Sequence, residues 1–191
     1  MTKLFPVAAI AVVLTLGSLF VSGTADAAQN GNPHVLVLDV AQDFRTFSVS
    51  HGRTLADALR GDAFIVNGKI YPGYTIPGGG TMQNPSHFGP DMPGSIGEWV
   101  CRGVFYKSLA DILRGAEPHV YSTQYHEIRG RGTILSDGPE GGQQIRALTG
   151  GTLDFRGIEG DVTETPIGTN PTGGFNLRFT IRLHNGATLN R

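Results

Sequence analysis

The residues near the end of this chain alternate strictly between apolar and polar side chains. The apolar positions are Phe175, Leu177, Phe179, Ile181 and Leu183, and a polar residue stands between each pair. Because successive side chains of a β-strand point to opposite faces, the pattern predicts an antiparallel strand with one face in a hydrophobic core. Such a strand needs partners, so the preceding chain must supply further strands.

Short apolar runs separated by glycines fill much of that preceding chain. The full sequence has 28 glycines, about twice the average usage, and they follow no repeat. Strands are predicted at residues 35–41, 63–71, 97–106, 119–128, 132–135, 144–148 and 153–158. Thr54 and Ser108 are typical N-caps, and they predict short helices over 54–59 and 108–113. Turn signals at this spacing indicate a barrel or a sandwich. We favour an all-β fold, a single closed antiparallel β-barrel of about eight strands, because no strand has polar edge chemistry.

The first 27 residues have the features of a secretory signal peptide. Lys3 precedes an apolar run over 4–21, and Ala25 and Ala27 form a small-x-small cleavage site. The alternative is an uncleaved membrane anchor, but the run is near the lower length limit for a span. We therefore predict a secreted or cell-envelope protein whose mature domain, residues 28–191, has no membrane segment.

Composition excludes several classes of function. The net charge is −1, without a basic patch, which disfavours nucleic-acid binding. The six histidines have no metal-ligand spacing, so no metal site is predicted. Cys101 is the only cysteine, so the chain has no internal disulfide, and stability must come from packing or oligomerisation.

Strand parity gives the candidate site residues. Trp99, Cys101 and Phe105 share one face of their predicted strand, so they are either core residues or the wall of a ligand pocket. Asn67 shares a face with Ile65 and Tyr71, and a buried amide must bind a structural partner, a ligand or an ordered water.

Two further groups carry polar chemistry. Asp39 lies between Leu38 and Val40, and a carboxylate in such a strand must be paired, have a raised pKa or face solvent. One face of the 119–128 strand carries Tyr121, Tyr125 and Glu127. These three either orient a substrate oxygen or complete a barrel rim. The long irregular stretch 72–94 is either a functional lid or a disordered rim loop.

Four stretches in order resemble the allene oxide cyclase-like barrels, the superfamily that includes dirigent proteins. They are the glycine-rich run 148–160, the entry Gly61-Asp62 into a strand ending at Tyr71, the strand 97–101 ending in cysteine, and the closing strand 175–183. The resemblance covers most of residues 33–184. It implies an eight-stranded antiparallel barrel, usually a homotrimer, with an apolar cavity and no cofactor.

The resemblance also implies roles for individual residues. Asn67 matches the cyclase asparagine that binds an ordered water, Cys101 approximately matches a pocket cysteine, and Asp39 falls near the first-strand glutamate. Ala41 stands where the cyclases have a second asparagine, and Gly130-Arg131-Gly132 replaces a pocket tyrosine. These departures argue against allene oxide cyclisation itself and leave a related pocket for another ligand.

Three functions remain. The first is an exported, cofactor-free isomerase or cyclase, or a stereodirecting protein, that steers a small hydrophobic metabolite. Its candidate catalytic residues are Asn67, Cys101 and Asp39, and its candidate ligand-binding residues are Trp99, Phe105, Tyr71, Tyr121, Tyr125 and Glu127. The second is a non-catalytic, lipocalin-like binding barrel. The third is an interaction protein that uses the barrel exterior, with a filled interior and an exposed apolar patch.

Overall fold

Eight antiparallel strands close into one barrel in the computed structural model, which describes residues 34–108, 111, 120–140 and 145–184. Each strand pairs with its neighbours in sequence, and β1 pairs with β8. The predicted fold class is therefore confirmed. The strands are β1 (His34–Val49), β2 (Ala63–Pro72), β3 (Gly97–Phe105), β4 (Val120–Ile128), β5 (Gly132–Glu140), β6 (Ile145–Gly151), β7 (Gly160–Thr169) and β8 (Phe175–Leu183).

Some sequence predictions fall outside this description. The signal peptide at 1–27 and most of the helix predicted at 108–113 lie outside the described residues. Among the residues that are described, no helix is long and apolar enough to cross a membrane. The other predicted helix, at 54–59, is a single 3-10 turn at Leu55–Asp57.

The alternation of β8 corresponds to the inside and outside of the barrel. Leu177, Phe179, Ile181 and Leu183 are all buried in the core, as predicted. Phe175 departs from the pattern because it lies at the end of the strand and is exposed. Asn176 points outward and is nevertheless buried, because the segment that contains Phe88 packs over it. Its amide donates a hydrogen bond of 3.1 Å to the carbonyl of Phe88.

The strand predicted at 153–158 is wrong. This segment forms a short 3-10 helix at Leu153–Phe155, which places the Phe155 ring in the core and leaves Leu153 exposed. Leu153 has a φ of 50°, which a regular strand does not allow. The seventh strand is β7, a polar segment that was not predicted.

β1 contains an irregularity at one end of the barrel. Its pairing with β2 shifts register between Asp43 and Ser48, so the intervening residues bulge out of the ladder. The Phe44 and Phe47 rings in this bulge stack on each other with their centres 4.8 Å apart, and Phe47 stacks on Phe64 at 6.0 Å. We call this end, where β1, β3, β5 and β7 finish, the upper end.

A segment over residues 73–94, here called the strap, covers the outer side of β8, β1 and β2. The buried carboxylate of Asp39 accepts hydrogen bonds from the Arg178 guanidinium at 2.8 and 3.0 Å and from the Ile76 backbone N–H at 2.8 Å. The Tyr71 hydroxyl donates to the carbonyl of Met92 at 2.8 Å. The strap therefore packs along the side of the barrel through contacts with Asp39, Tyr71 and Arg178.

Candidate functional site

Polar side chains that point inward from four strands meet in the upper half of the barrel. We call Cys101, Ser122, Gln124, Glu140 and Glu164 the lumen cluster; they lie on β3, β4, β5 and β7. The Gln124 amide bridges the two carboxylates, donating to Glu140 Oε1 at 3.0 Å and to Glu164 Oε2 at 2.7 Å. Cys101 Sγ lies 3.2 Å from the same Glu140 oxygen, and Ser122 Oγ also donates to it. Glu140 is thus fixed by three donors.

Arg146, on β6, is the cation closest to this cluster. Its guanidinium lies 3.5 Å from Glu140 Oε1. Most of its donors are directed at backbone carbonyls instead, including Ser122 O at 2.7 Å and Gly138 O at 3.1 Å. Arg146 therefore pairs with one carboxylate of the cluster, while Glu164 forms no ion pair with any of the described residues.

Glu164 is the member of the cluster whose protonation state changes near neutral pH. Burial, and then the neighbouring Glu140 carboxylate, raise the pKa of Glu164 to about 7, against the opposing effects of the Gln124 hydrogen bond and of Arg146. A carboxyl group with a pKa near the surrounding pH can both accept and donate a proton. A part of the surface of the Glu164 residue is nevertheless exposed to solvent.

Cys101 cannot serve as a nucleophile in this environment. Burial, and then the charge of Glu140, raise the pKa of its thiol well above the ordinary value. The thiolate is the reactive form of cysteine, so a thiol held protonated is unreactive. Its role in the cluster is that of a hydrogen-bond donor to Glu140.

Buried polar atoms without partners lie directly below the cluster. Trp99 and His126 are register partners on β3 and β4. Neither Trp99 Nε1 nor either ring nitrogen of His126 has a hydrogen-bond partner of normal geometry, and Gln124 Oε1 also has none. Burial, and then Arg146, lower the pKa of His126 to about 3, against a smaller opposing effect of the nearby Ile134 backbone, whose contact with the ring does not reach normal hydrogen-bond geometry; the imidazole is therefore neutral. Unpaired buried polar atoms are rare in folded proteins, and their explanations include a bound water or ion and a catalytic role.

The other side of the upper end is aromatic. Phe44, Phe47 and Phe64 continue to Phe105, whose ring centre lies 5.3 Å from that of Phe64. We call these four rings the phenylalanine wall. The upper end thus combines an apolar wall on β1–β3 with carboxylates on β5 and β7, a combination typical of small-molecule sites.

The structure places three of the predicted site residues inside the barrel. Trp99, Cys101 and Phe105 are buried and point inward, as their strand parity predicted. The predicted inward orientation of Asn67 is wrong. Asn67 is exposed on the outside, because the inward face of β2 is formed by its even-numbered neighbours, among them Phe64 and Val66.

Five other predicted residues also lie outside the lumen. Asp39 and Tyr71 are buried by the strap, which covers the outer surface, and not by the core. Tyr121, Tyr125 and Glu127 do share one face of β4, but that face points outward. They therefore do not line the lumen, because the inward face of β4 consists of Val120, Ser122, Gln124, His126 and Ile128.

Sequence reasoning missed Gln124, His126, Glu140 and Glu164. For β4 a signal existed: Val120 and Ile128 are apolar and share parity with Gln124 and His126, so they mark the inward face. Glu140 and Glu164 carry no comparable signal, because their strands are largely polar. Among the described residues, no three histidine, cysteine or carboxylate side chains are grouped so as to hold a metal ion.

The outer faces of β2–β5 carry two open grooves. A groove of about 650 Å³ crosses these strands and β1, and its lining includes Ile65, Val104 and Tyr121. A smaller groove of about 350 Å³ shares Ile65 and Arg102 with it. Ile65, Val104 and Tyr121 are all exposed, so this side of the barrel has an uncovered apolar strip.

Solved structures with the same architecture are known, although no family model and no curated protein matches the chain. The pterocarpan synthase dirigent protein GePTS1 aligns with a TM-score of 0.55 and 11% identity over 83% of this chain and 87% of that chain. The pterocarpan synthase dirigent protein PsPTS1 gives 0.55 and 12% over 82% and 97%. A pyocyanin demethylase aligns with a TM-score of 0.51 and 16% identity over 79% and 100%. The chain therefore has the dirigent-like β-barrel fold.

Proposed function

We propose that this protein binds a small hydrophobic metabolite at the upper end of its barrel and steers that molecule's cyclisation, isomerisation or stereoselective coupling without a cofactor. The observation that carries the proposal is the lumen cluster, in which Gln124 bridges Glu140 and Glu164 beside the phenylalanine wall. The similar dirigent and demethylase structures are named for proteins that act on small molecules, which supports the same conclusion.

The cluster suits proton transfer within a bound molecule. Glu164 in its ionised form takes a proton from one atom of the substrate, and the electron pair of the broken bond moves into the conjugated system. The same carboxyl group then returns that proton at another atom, so the product is an isomer. A carboxyl pKa near 7 allows both steps at neutral pH, and three hydrogen-bond donors position the neighbouring Glu140 carboxylate.

A second candidate function, a non-catalytic lipocalin-like binding barrel, has its own support. Two of the three predicted catalytic residues, Asn67 and Asp39, lie outside the barrel interior. The remaining one, Cys101, is a hydrogen-bond donor to Glu140. In this alternative, the lumen cluster orients a ligand and performs no chemistry.

One experiment separates the two functions. Trp99 is the only tryptophan and lies just below the lumen cluster, so its emission reports on ligands that enter the barrel. Conjugated aromatic ketones and polyenes are titrated first, and those that bind are incubated in D₂O and examined by NMR. Formation of an isomer, with or without deuterium, that depends on the protein and is lost in Glu164→Gln supports catalysis. Binding with neither isomerisation nor deuterium exchange supports the lipocalin-like function, and no binding by any compound overturns both.

Glu127→Gln is the matched control for that experiment. It makes the same change of charge and shape on β4, but on the outward face. Under the proposal, it leaves both the Trp99 response and the deuterium exchange unchanged.

Export and self-association belong to the same proposal. The signal-like residues 1–27 predict export, and detection of the protein in culture medium or periplasm after loss of that segment tests it. The exposed strip of Ile65, Val104 and Tyr121 is a candidate contact between copies, which fits the homotrimer implied by the resemblance. Sedimentation of the wild type and of Val104→Glu tests this contact.

A further inference from the structure

We propose that the ligand of the lumen cluster is a hydrophobic cation, such as a quaternary aromatic amine or a protonated weak base. The inference rests on the proposed function, because it names the chemical class of molecule that binds at the same site. It follows from the charges that face the upper half of the barrel.

The charged groups of the interior do not balance. Glu140 has a partner in Arg146, whose remaining donors are satisfied by backbone carbonyls. Glu164, which is bridged to Glu140 through Gln124, has no cation of its own among the described residues. An ionised Glu164 therefore leaves one uncompensated negative charge in a poorly hydrated site, and such a charge favours a positive partner.

No other inward group of the described residues supplies the missing positive charge. His126 on β4 is neutral, and Cys101 on β3 is a protonated thiol. At the upper end, Arg53 is paired with Asp62 at 3.3 Å. The inward positions of the remaining strands in this half are apolar and include Val49, Phe64, Val66, Leu177 and Phe179.

The phenylalanine wall provides the second half of the recognition. Aromatic rings attract a cation to their faces, most strongly where water is excluded. Phe44, Phe47, Phe64 and Phe105 form a continuous series of rings at the same end as the carboxylates. The rings stack on one another and leave Phe44 and Phe47 only partly buried, so we expect a flat cation to contact the exposed surface of these two rings together with Glu164.

The proposal makes the affinity dependent on pH in a defined direction. With the pKa of Glu164 at about 7 in the free protein, the carboxylate is mostly protonated at pH 5.5 and mostly ionised at pH 8.5. A permanent cation should therefore bind more tightly as the pH rises and displace a proton from Glu164. A neutral molecule of the same shape should show little change.

Three probes of similar shape test this: N-methylquinolinium, which is cationic, 1-methylnaphthalene, which is neutral, and 1-naphthoate, which is anionic. Each is titrated into the full protein at pH 5.5 and 8.5, with Trp99 emission and calorimetry as readouts. At pH 8.5 we expect the cation to bind at least about tenfold more tightly than the neutral probe, and the anion to bind most weakly. At pH 5.5 the preference for the cation should be largely lost.

Glu164→Gln keeps an acceptor for the Gln124 amide and removes the charge, so it should abolish the preference for the cation while leaving affinity for the neutral probe intact. Glu127→Gln, the outward control, should retain the preference. Equal binding of all three probes, or a preference that persists in Glu164→Gln, overturns the cation proposal and leaves the proposed function standing. If no hydrophobic probe alters Trp99 emission or gives heat, both the cation proposal and the proposed function are overturned. Circular dichroism of each variant shows that it is folded.

Discussion

Replacing Glu164 with glutamine should stabilise the protein at high pH and have little effect at low pH. The folded protein holds the pKa of Glu164 at about 7, compared with 4.5 for an ordinary glutamate. A carboxyl group whose pKa is raised by folding favours the folded state below pH 4.5, and that contribution is lost as the pH rises through 7. This difference in pKa corresponds to about 3 kcal/mol of unfolding free energy at pH 8.

Glutamine resembles the protonated carboxyl group, so it avoids this cost. We expect the unfolding free energies of the wild type and Glu164→Gln to be similar at pH 4.5. Their difference should then grow by roughly 1.4 kcal/mol per pH unit up to pH 7 and level off. The opposite trend that His126 contributes, a loss of stability as the pH falls from 6.5 towards 3, is common to both proteins and cancels in the difference.

Urea denaturation followed by Trp99 emission, at half-unit steps from pH 4.5 to 8.5, measures the effect. Glu127→Gln serves as the control and should follow the wild type at every pH. A difference between the wild type and Glu164→Gln that stays constant with pH would refute the reasoning, because it would mean that folding does not perturb this carboxyl group.

Three further predictions concern residues whose placement the structure corrected or clarified. Cys101 should react with a disulfide reagent at pH 8 far more slowly than free cysteine until urea unfolds the protein; fast labelling of the native state would contradict its burial. Asp39→Asn should lower the unfolding free energy by about 2–3 kcal/mol, because Arg178 loses its partner, and should expose the strap to proteolysis. An unchanged cleavage pattern would show that other contacts hold the strap. Asn67→Ala should leave ligand binding by the barrel unaltered, since its side chain is exposed; weakened binding to the interior would argue for the original assignment.

The sequence predicted the barrel well because its strands are short and bounded by glycines. The inward residues of β3 and β8 were identified correctly, since the aromatic side chains of each strand share one parity. The prediction of which face of β2 points inward was wrong for a specific reason. Ile65 and Tyr71 suggested that the odd positions faced the core, yet Ile65 is exposed and Tyr71 is buried by the strap. A single strand cannot distinguish burial by the core from burial by a loop packed outside.

The two carboxylates of the site could not have been predicted from the sequence. β7 has the sequence GDVTETPIGT, in which Glu164 is flanked by threonines and followed by Pro166, so it lacks the apolar alternation of a core strand. Its inward parity is evident only from its pairing with β8, where Val162 lies opposite Ile181 and Glu164 opposite Phe179. The seventh strand was predicted at the neighbouring segment 153–158 instead, because that segment is more apolar than β7.

Closure of the barrel also determines the order in which it can fold. The last ladder joins His34 to Leu183, so its two strands lie at opposite ends of the described chain. Contacts between residues so far apart in sequence form slowly. Until β8 has been synthesised, β1 has one edge whose backbone N–H and C=O groups have no partner strand, and such an edge can pair with another chain. A chain shortened by its last strand should therefore aggregate and not form a smaller barrel.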